Sequence, residues 1–159
     1  MHVLALLLAA ATTHSWNSAP GTAVLKAPTA CSIVSKAEIE EALGQPVSAG
    51  VEHKSPAEST CDYAAGEGKV TIALAHSSEK LDADAEAAVL KKILPEGAVR
   101  EASIIGARAF FLDIPHAGAQ LHVVRGDHDY LMVSVLGFGG PAQVSDTALR
   151  IAHKALERL

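Results

Sequence analysis

Two stretches in the second half of the chain alternate between apolar and polar residues with a period of two. They cover Ala119–Arg125 and Asp129–Leu136, and the three residues between them include the turn formers Gly126 and Asp127. This alternation predicts two strands joined by a short hairpin loop, each with one face toward a core. The residues predicted to face that core are Leu121, Val123, Leu131, Val133 and Val135.

The length of the loop determines the register of this hairpin. A loop of three residues pairs Arg125 with Asp129 at the ends of the two strands. That register leaves three side chains on the sheet face away from the core, and we take them as the candidate ligand face: His122, Tyr130 and Met132.

Five further strands are predicted from the same kind of pattern and from Gly, Pro and Asp turn residues between the apolar runs. They are Val47–Glu52, Thr60–Ala65, Lys69–His76, Val99–Ile104 and Ala107–Ile114.

Three helices are predicted from apolar residues at helical spacing and from their end residues. The first follows a capping box of Ser35 and Glu38 and ends at Gly44. The second begins near Glu79 and ends before Pro95, with an apolar stripe of Leu81, Ala85, Ala88, Val89 and Ile93. The third ends the chain, with a stripe of Val144, Ala148, Ala152, Ala155 and Leu159.

The predicted order of elements is therefore α-β-β-β-α-β-β-β-β-α. Hairpins dominate this order and βαβ alternation is absent. We expect an α+β fold with a single twisted antiparallel β-sheet of about 6–7 strands and with the helices packed on one face. The length of 159 residues suits one such domain.

Residues 1–19 have the pattern of a signal peptide. MHVLALLLAAA is an apolar run of suitable length that is too short to span a bilayer. Cleavage after Ala11 and cleavage after Ala19 fit the small-residue rule equally well. The basic residues that usually precede such a run are missing, which indicates either a weak export signal or a true start further upstream. A buried N-terminal helix of the domain is the alternative interpretation.

The segment after the apolar run is rich in Ser, Thr, Ala and Pro without periodicity. We interpret residues 20–30 as a flexible tether and residues 31–159 as the single domain. We expect export to the periplasm or the extracellular space, with no stable membrane span after removal of the signal peptide.

The chain contains two cysteines, Cys31 and Cys61. In an oxidising compartment two cysteines are expected to pair, and only one connectivity exists. The predicted disulfide ties the first helix to the first hairpin. A reactive thiol is the weaker interpretation, because neither cysteine has a CxxC partner or an adjacent histidine.

Charge and histidine content narrow the functional classes. A net charge of -5 argues against nucleic acid as a partner, since phosphate binding needs a concentrated basic surface. Eight histidines suggest a metal site, but HxH, HxxxH and HExxH spacings are absent. His116, His122 and His128 would lie too far apart along their hairpins to share one ion. We expect no metal and no other cofactor.

Catalytic motifs are weak in this chain. Asp127-His128-Asp129 has the residue types of an acid–base cluster, but Gly-Asp favours an exposed turn. GFGGP at 137–141 precedes a helix and could offer N–H groups to an anion, although without GxGxxG a flexible connection is favoured. Phe138 in that motif is either an exposed contact or a lid over the core. GxSxG and SxxK are absent, and we expect no enzymatic activity.

The sequence CSIVSKAEIEEALGQPV, followed by STCDY, IIGARAFF, LHVVRGDHDYLMVSV and ALRIAHKALERL, resembles a broad group of small secreted or lipoprotein-like bacterial envelope domains of unknown function. In that group one cysteine precedes a short helix, and a second cysteine opens a strand. The resemblance covers nearly all of residues 31–159 and implies a secreted or lipid-anchored domain without assigned catalytic residues. This chain departs from the group in lacking a lipobox before Cys31.

Together these features predict an exported, non-catalytic binding or structural module of the bacterial cell envelope. Its expected partner is an envelope protein or a small molecule. The alternative is a periplasmic protein that binds a small ligand or a metal through the open sheet face around His122, Tyr130 and Met132.

Overall fold

The computed structural model describes residues 27–159, which form four helices and seven strands. The helices are α1 (Ala30–Ile33), α2 (Lys36–Leu43), α3 (Ala83–Ile93) and α4 (Pro141–Leu156). The strands are β1 (Val51–Lys54), β2 (Glu58–Ala65), β3 (Gly68–His76), β4 (Val99–Ile104), β5 (Ala107–Ile114), β6 (Gly118–Arg125) and β7 (Asp129–Leu136).

The seven strands form one antiparallel sheet in the order β1-β2-β3-β7-β6-β5-β4. The predicted α+β class and the predicted order of elements are confirmed, with the single turn α1 added before the first predicted helix. The β6–β7 hairpin has the predicted register, since Arg125 pairs with Asp129. The first strand was predicted at Val47–Glu52, but β1 begins only at Val51. Val47 packs into the core before the strand begins.

The main core lies on one face of the sheet. The five side chains predicted to face it are all buried, and none exposes more than 1% of its surface. α4 packs on β6 and β7 over this face, so its apolar stripe is buried as its spacing predicts. The α4 residues buried in this core are Val144, Thr147, Ala148, Ile151, Ala152 and Ala155.

α3 packs on the opposite face of the sheet, so the prediction that the helices share one face was wrong for this helix. Its contacts are with β4, β5 and β6. These strands also have apolar residues on the second face, and they form a small second core of Val99, Phe110 and Val124 with Ala83 of α3. Without a helix on this face those apolar side chains would be exposed to water, which is unfavourable. Packing of α3 removes this exposure.

The predicted apolar stripe of α3 was also wrong, apart from Leu81. The inward residues are Ala83, Ala87, Leu90 and the capping residue Leu94. Val89 and Ile93 are instead 57% and 71% exposed. Both stripes have helical spacing and similar apolar size, and the inward one is buried because it packs against Phe110 and Val124 of the sheet. α3 therefore has a buried apolar side and an exposed apolar side.

The predicted disulfide between Cys31 and Cys61 is present, and it ties α1 to β2. Cys61 is completely buried. Two further bonds hold the α1–α2 segment: the Tyr63 hydroxyl donates to the Val34 carbonyl at 2.8 Å, and Arg158 Nη1 donates to the Ile33 carbonyl at 2.8 Å. The first helical unit is thus attached to both the sheet and the end of the chain.

The predicted caps of α2 are also present. The Ser35 hydroxyl accepts from the Glu38 amide, and Glu38 accepts from the Ser35 amide at 2.8 Å. Gly44 ends the helix with a φ of 73°, a left-handed conformation that glycine adopts without strain. The hydrogen bond from Arg158, aided by the Ser35 amide, lowers the pKa of Glu38 to about 2.

Residues 1–19, the predicted signal peptide, lie outside the described residues, as does most of the predicted tether at 20–30. Ala30, at the end of that segment, is buried and begins α1. Within residues 27–159, no helix combines the length and the apolarity that crossing a membrane requires.

Removing the disulfide tests its contribution to stability. The sequence separation of the cysteines is 30 residues. Loop-closure entropy then predicts that Cys31→Ala/Cys61→Ala lowers the free energy of unfolding by about 3.5 kcal/mol. Urea denaturation followed by circular dichroism measures this loss, with reduced wild-type protein as the comparison. If the double variant and the reduced wild-type protein each lose less than about 1 kcal/mol, the α1–β2 attachment depends on packing rather than on the covalent link.

Candidate functional site

His122 is the most distinctive titratable residue on the second face of the sheet. It lies in the middle of β6 and is only 9% exposed. Its ring stacks on Phe110 of β5, with 4.7 Å between the ring centroids and an interplanar angle of 8°. Its Nδ1 atom lies 2.7 Å from the Tyr130 hydroxyl of β7.

The structure brings the three residues of the candidate ligand face together. His122 is directly opposite Met132 in the β6–β7 ladder, and Tyr130 lies one pair further along the same face. Their environment differs from the open face that the sequence suggested, because the second core and α3 adjoin it. His122 is buried, and Tyr130 and Met132 are half-buried. Ligand binding by these three residues stays a prediction.

The second ring nitrogen of His122 has an unusual environment. Nε2 is buried and has no hydrogen-bond partner among the described residues. If the Tyr130 hydroxyl donates to Nδ1, Nε2 is an unpaired N–H donor; if Nδ1 donates to the hydroxyl, Nε2 is an unpaired acceptor. Either tautomer leaves one buried polar atom unsatisfied, which typically costs about 1–3 kcal/mol.

Burial determines the charge state of this pair. It lowers the pKa of His122 from 6.5 to about 4, because a buried imidazolium would lose its hydration. It also raises the pKa of the Tyr130 phenol, and the negative charges of Glu86 and Glu58 add to this effect. At neutral pH the pair is therefore an uncharged imidazole and an uncharged phenol.

This arrangement limits the chemistry that His122 can perform. A neutral imidazole with a pKa near 4 is a weak base, and its free nitrogen has almost no access to solvent. Binding of a metal or substrate at Nε2 would require the side chains that bury this atom to move. The pair is better suited to packing the second core than to surface catalysis.

A second group of histidines lies at the end of β3 and β7. His76 Nδ1 is 2.8 Å from Asp129 Oδ1, and His128 Nδ1 is 3.0 Å from the Ser77 carbonyl. Lys80 Nζ is 3.3 Å from Asp127. These contacts attach the segment before α3 to the β6–β7 hairpin. Asp127 and His128 lie in its exposed turn, as predicted, and Asp129 begins β7.

Sequence reasoning missed His76 and Lys80 as partners of that turn. They lie about fifty residues earlier in the chain, and only the pairing of β3 with β7 brings them close. In the described part of the chain, no group of three or more His, Cys, Asp or Glu side chains is arranged to hold a metal ion.

The glycine-rich segment before α4 has a structural role in this arrangement. The sequence pattern suggested that backbone amides of this segment could bind an anion. The Gly140 amide donates to Gln143 Oε1 at 2.6 Å, so this donor already has a partner. Phe138 covers Gly68, where a Cβ atom would lie 2.5 Å from the Phe138 ring. Phe138 is thus a lid over the end of the main core, which is the second of its two predicted roles.

A polar surface remains on the second face beyond α3. We call it the polar patch and define it by His53 of β1, Thr60 and Asp62 of β2, and Lys69 and Thr71 of β3. The Thr71 hydroxyl donates to Asp62 at 2.5 Å, and Lys69 Nζ lies 3.5 Å from the same carboxylate. These residues are exposed or half-buried. The patch is a hydrogen-bonding surface on three strands rather than an apolar pocket.

No family model, no curated protein and no solved structure matches this chain.

Acidification tests the burial of His122. Because the unfolded chain binds a proton at His122 between pH 6.5 and about 4 and the folded chain does not, stability falls as pH falls through this window. The fall amounts to about 3 kcal/mol in total and levels off below pH 4. His122→Gln should remove this component, as measured by urea denaturation at several pH values.

His116→Gln is the matched control, because His116 lies in the exposed turn between β5 and β6. That variant should retain the loss of stability between pH 6.5 and 4. If His122→Gln shows the same pH dependence as the wild type, the imidazole is not buried as a neutral group in the folded protein.

Proposed function

We propose that this protein is an exported, non-catalytic binding module of the bacterial cell envelope. The observation that carries the proposal is the Cys31–Cys61 disulfide, in which Cys61 is completely buried. Disulfides at buried structural positions persist in oxidising compartments, and the apolar N-terminal run provides a route to one. The resemblance to small secreted envelope domains supports the same assignment.

The polar patch is the surface that best suits a binding role. It occupies the part of the second face formed by β1, β2 and β3, whereas α3 packs on β4, β5 and β6. Asp62, Lys69 and Thr71 present both hydrogen-bond donors and acceptors there. Such a surface fits a polar partner, such as an envelope protein, better than an apolar small molecule.

The alternative of a metal or small ligand at His122 is less well supported. Its Nε2 atom is without a partner among the described residues, which would suit a ligand, but that atom is also buried. Displacing part of the second core would lower the affinity of any such ligand. The polar patch needs no such rearrangement.

Site-specific photo-crosslinking of the full chain in a Gram-negative host tests the proposal. A photoreactive amino acid replaces Thr71 in the polar patch, and the matched control replaces Glu41, an exposed residue of α2. We expect the chain in the periplasmic fraction, shortened after residue 11 or 19, with both cysteines oxidised. We also expect a discrete crosslinked product at position 71 and none at position 41.

Two results would contradict separate parts of the proposal. An intact N-terminus with free thiols in the cytoplasmic fraction would refute export. An exported, oxidised chain that crosslinks equally, or not at all, at positions 71 and 41 would refute the polar patch as the binding surface.

A further inference from the structure

A cleft of about 520 Å³ lies where three segments meet: the α3–β4 connection, the end of β5 and the first residue of α4. We call it the end cleft. Its wall is mainly apolar and includes the side chains of Leu94, Pro95, Leu112, Ile114, Pro115 and Pro141. Sites for small organic molecules typically have volumes of about 300–1,000 Å³. The end cleft is therefore large enough for a small ligand with an apolar body.

Two tight turns form much of the wall of the end cleft. In the first turn, the Ala98 amide donates to the Pro95 carbonyl at 3.1 Å. In the second, the Ala117 amide donates to the Ile114 carbonyl at 3.0 Å. Pro115 is the second residue of the latter turn, a position that suits the fixed φ of proline. Both turns are therefore held in shape by their own backbone bonds.

Further contacts fix the two turns relative to each other. The Asp113 amide donates to the Ala98 carbonyl at 2.7 Å, which joins the end of β5 to the start of β4. Pro141 completes the wall from the first turn of α4, where the ring of proline is already compatible with the helix. Because prolines and hydrogen-bonded turns lose little freedom when a ligand binds, the end cleft is a preorganised site.

The charges of the lining indicate what kind of ligand fits. Its two charged residues, Glu96 and Asp113, are both acidic. Asp113 is already paired, because Arg100 donates to its two carboxylate oxygens at 2.6 Å and 2.8 Å. Glu96 is exposed, and the basic residues Lys91 and Lys92 in the last turn of α3 do not line the cleft. Glu96 is therefore the carboxylate that a cationic group of a ligand would meet.

We infer that the end cleft binds a small apolar amine, with the apolar body against the prolines and leucines and the ammonium group beside Glu96. This site is separate from the polar patch, and its role does not rest on the proposed envelope function. Burial of the apolar body supplies most of the affinity, and the exposed charge pair adds a severalfold preference for a cation. An anion with the same body is disfavoured.

Titration of the isotope-labelled, oxidised full chain with phenethylamine, followed by amide chemical shifts in NMR, tests this site. We expect saturable shift changes concentrated at residues 96–98 and 112–114, with a Kd of about 1 mM. Phenethyl alcohol and phenylpropionate are the matched neutral and anionic probes. They should bind about threefold and about tenfold more weakly than the amine.

Two results of this titration would overturn the inference. One is the absence of saturable shift changes at these residues with phenethylamine up to about 20 mM. The other is an anionic probe that binds as tightly as the amine, since the charge of Glu96 would then play no part in recognition.

Glu96→Gln should weaken phenethylamine binding about threefold and leave phenethyl alcohol binding unchanged, because it removes the charge and keeps the size of the side chain. Glu41→Gln is the matched control, since Glu41 is an exposed residue of α2, and it should affect neither probe. Equal weakening of amine binding by both variants, or by neither, would contradict the assignment to Glu96.

Enlarging the lining tests the position of the apolar body. Ala98→Leu should weaken both phenethylamine and phenethyl alcohol at least tenfold, because Ala98 lines the cleft and is half-buried. Ala85→Leu, at an exposed position of α3, is the matched control and should change neither affinity. The dispersion of the amide spectrum verifies that each variant is folded. A folded Ala98→Leu variant with unchanged affinity would place the probe outside the end cleft.

Discussion

β3 and β7 lie side by side at the centre of the sheet, although α3 and three strands separate them in the sequence. Their ladder matches apolar residues on the main-core face, with Val70 opposite Val135 and Ile72 opposite Val133. This pairing joins two units that are otherwise local, the disulfide-linked N-terminal part and the run of hairpins from β4 to β7. Without it neither α4 nor α1 would have a complete surface to pack against.

The two faces of this sheet are unequal, and that inequality shapes the rest of the molecule. The face under α4 has a large aliphatic core, whereas the face under α3 has a small core beside an imidazole and a phenol. His122 has a hydrogen-bond partner at Nδ1 only, so its buried Nε2 destabilises the face under α3. Among the described residues, the large core contains no such unpaired polar side-chain atom. The thinner layer is therefore the part of the structure where movement costs least. It also adjoins the polar patch.

Local patterns were sufficient to predict much of this fold. The alternation of Leu131, Val133 and Val135 predicted β7 and its buried face, and the three-residue loop predicted the Arg125–Asp129 register. Ser35, Glu38 and Gly44 predicted both ends of α2. The two cysteines predicted the disulfide, because two thiols allow a single pairing. The strand, the register and the caps depend on residues that are close in sequence, and the disulfide depends on the number of cysteines.

Features that depend on long-range packing could not be predicted in the same way. α3 has apolar residues on two sides, and only the second-face residues Phe110 and Val124 determine which side turns inward. The alternation in β6 and β7 placed His122 and Tyr130 on one face but could not show that α3 would adjoin that face. The contact of His76 with Asp129 requires the β3–β7 ladder, for which no local pattern exists.

Native-state hydrogen exchange of dilute, oxidised protein tests most directly the claim that one strong layer supports a weaker one. The backbone amides of β3, β6 and β7 should exchange only through global unfolding. The amides of α3 should open at a free energy lower by about 2 kcal/mol or more, because the small second core alone holds this helix. Amides of α3 that exchange as slowly as those of β7 would contradict the account.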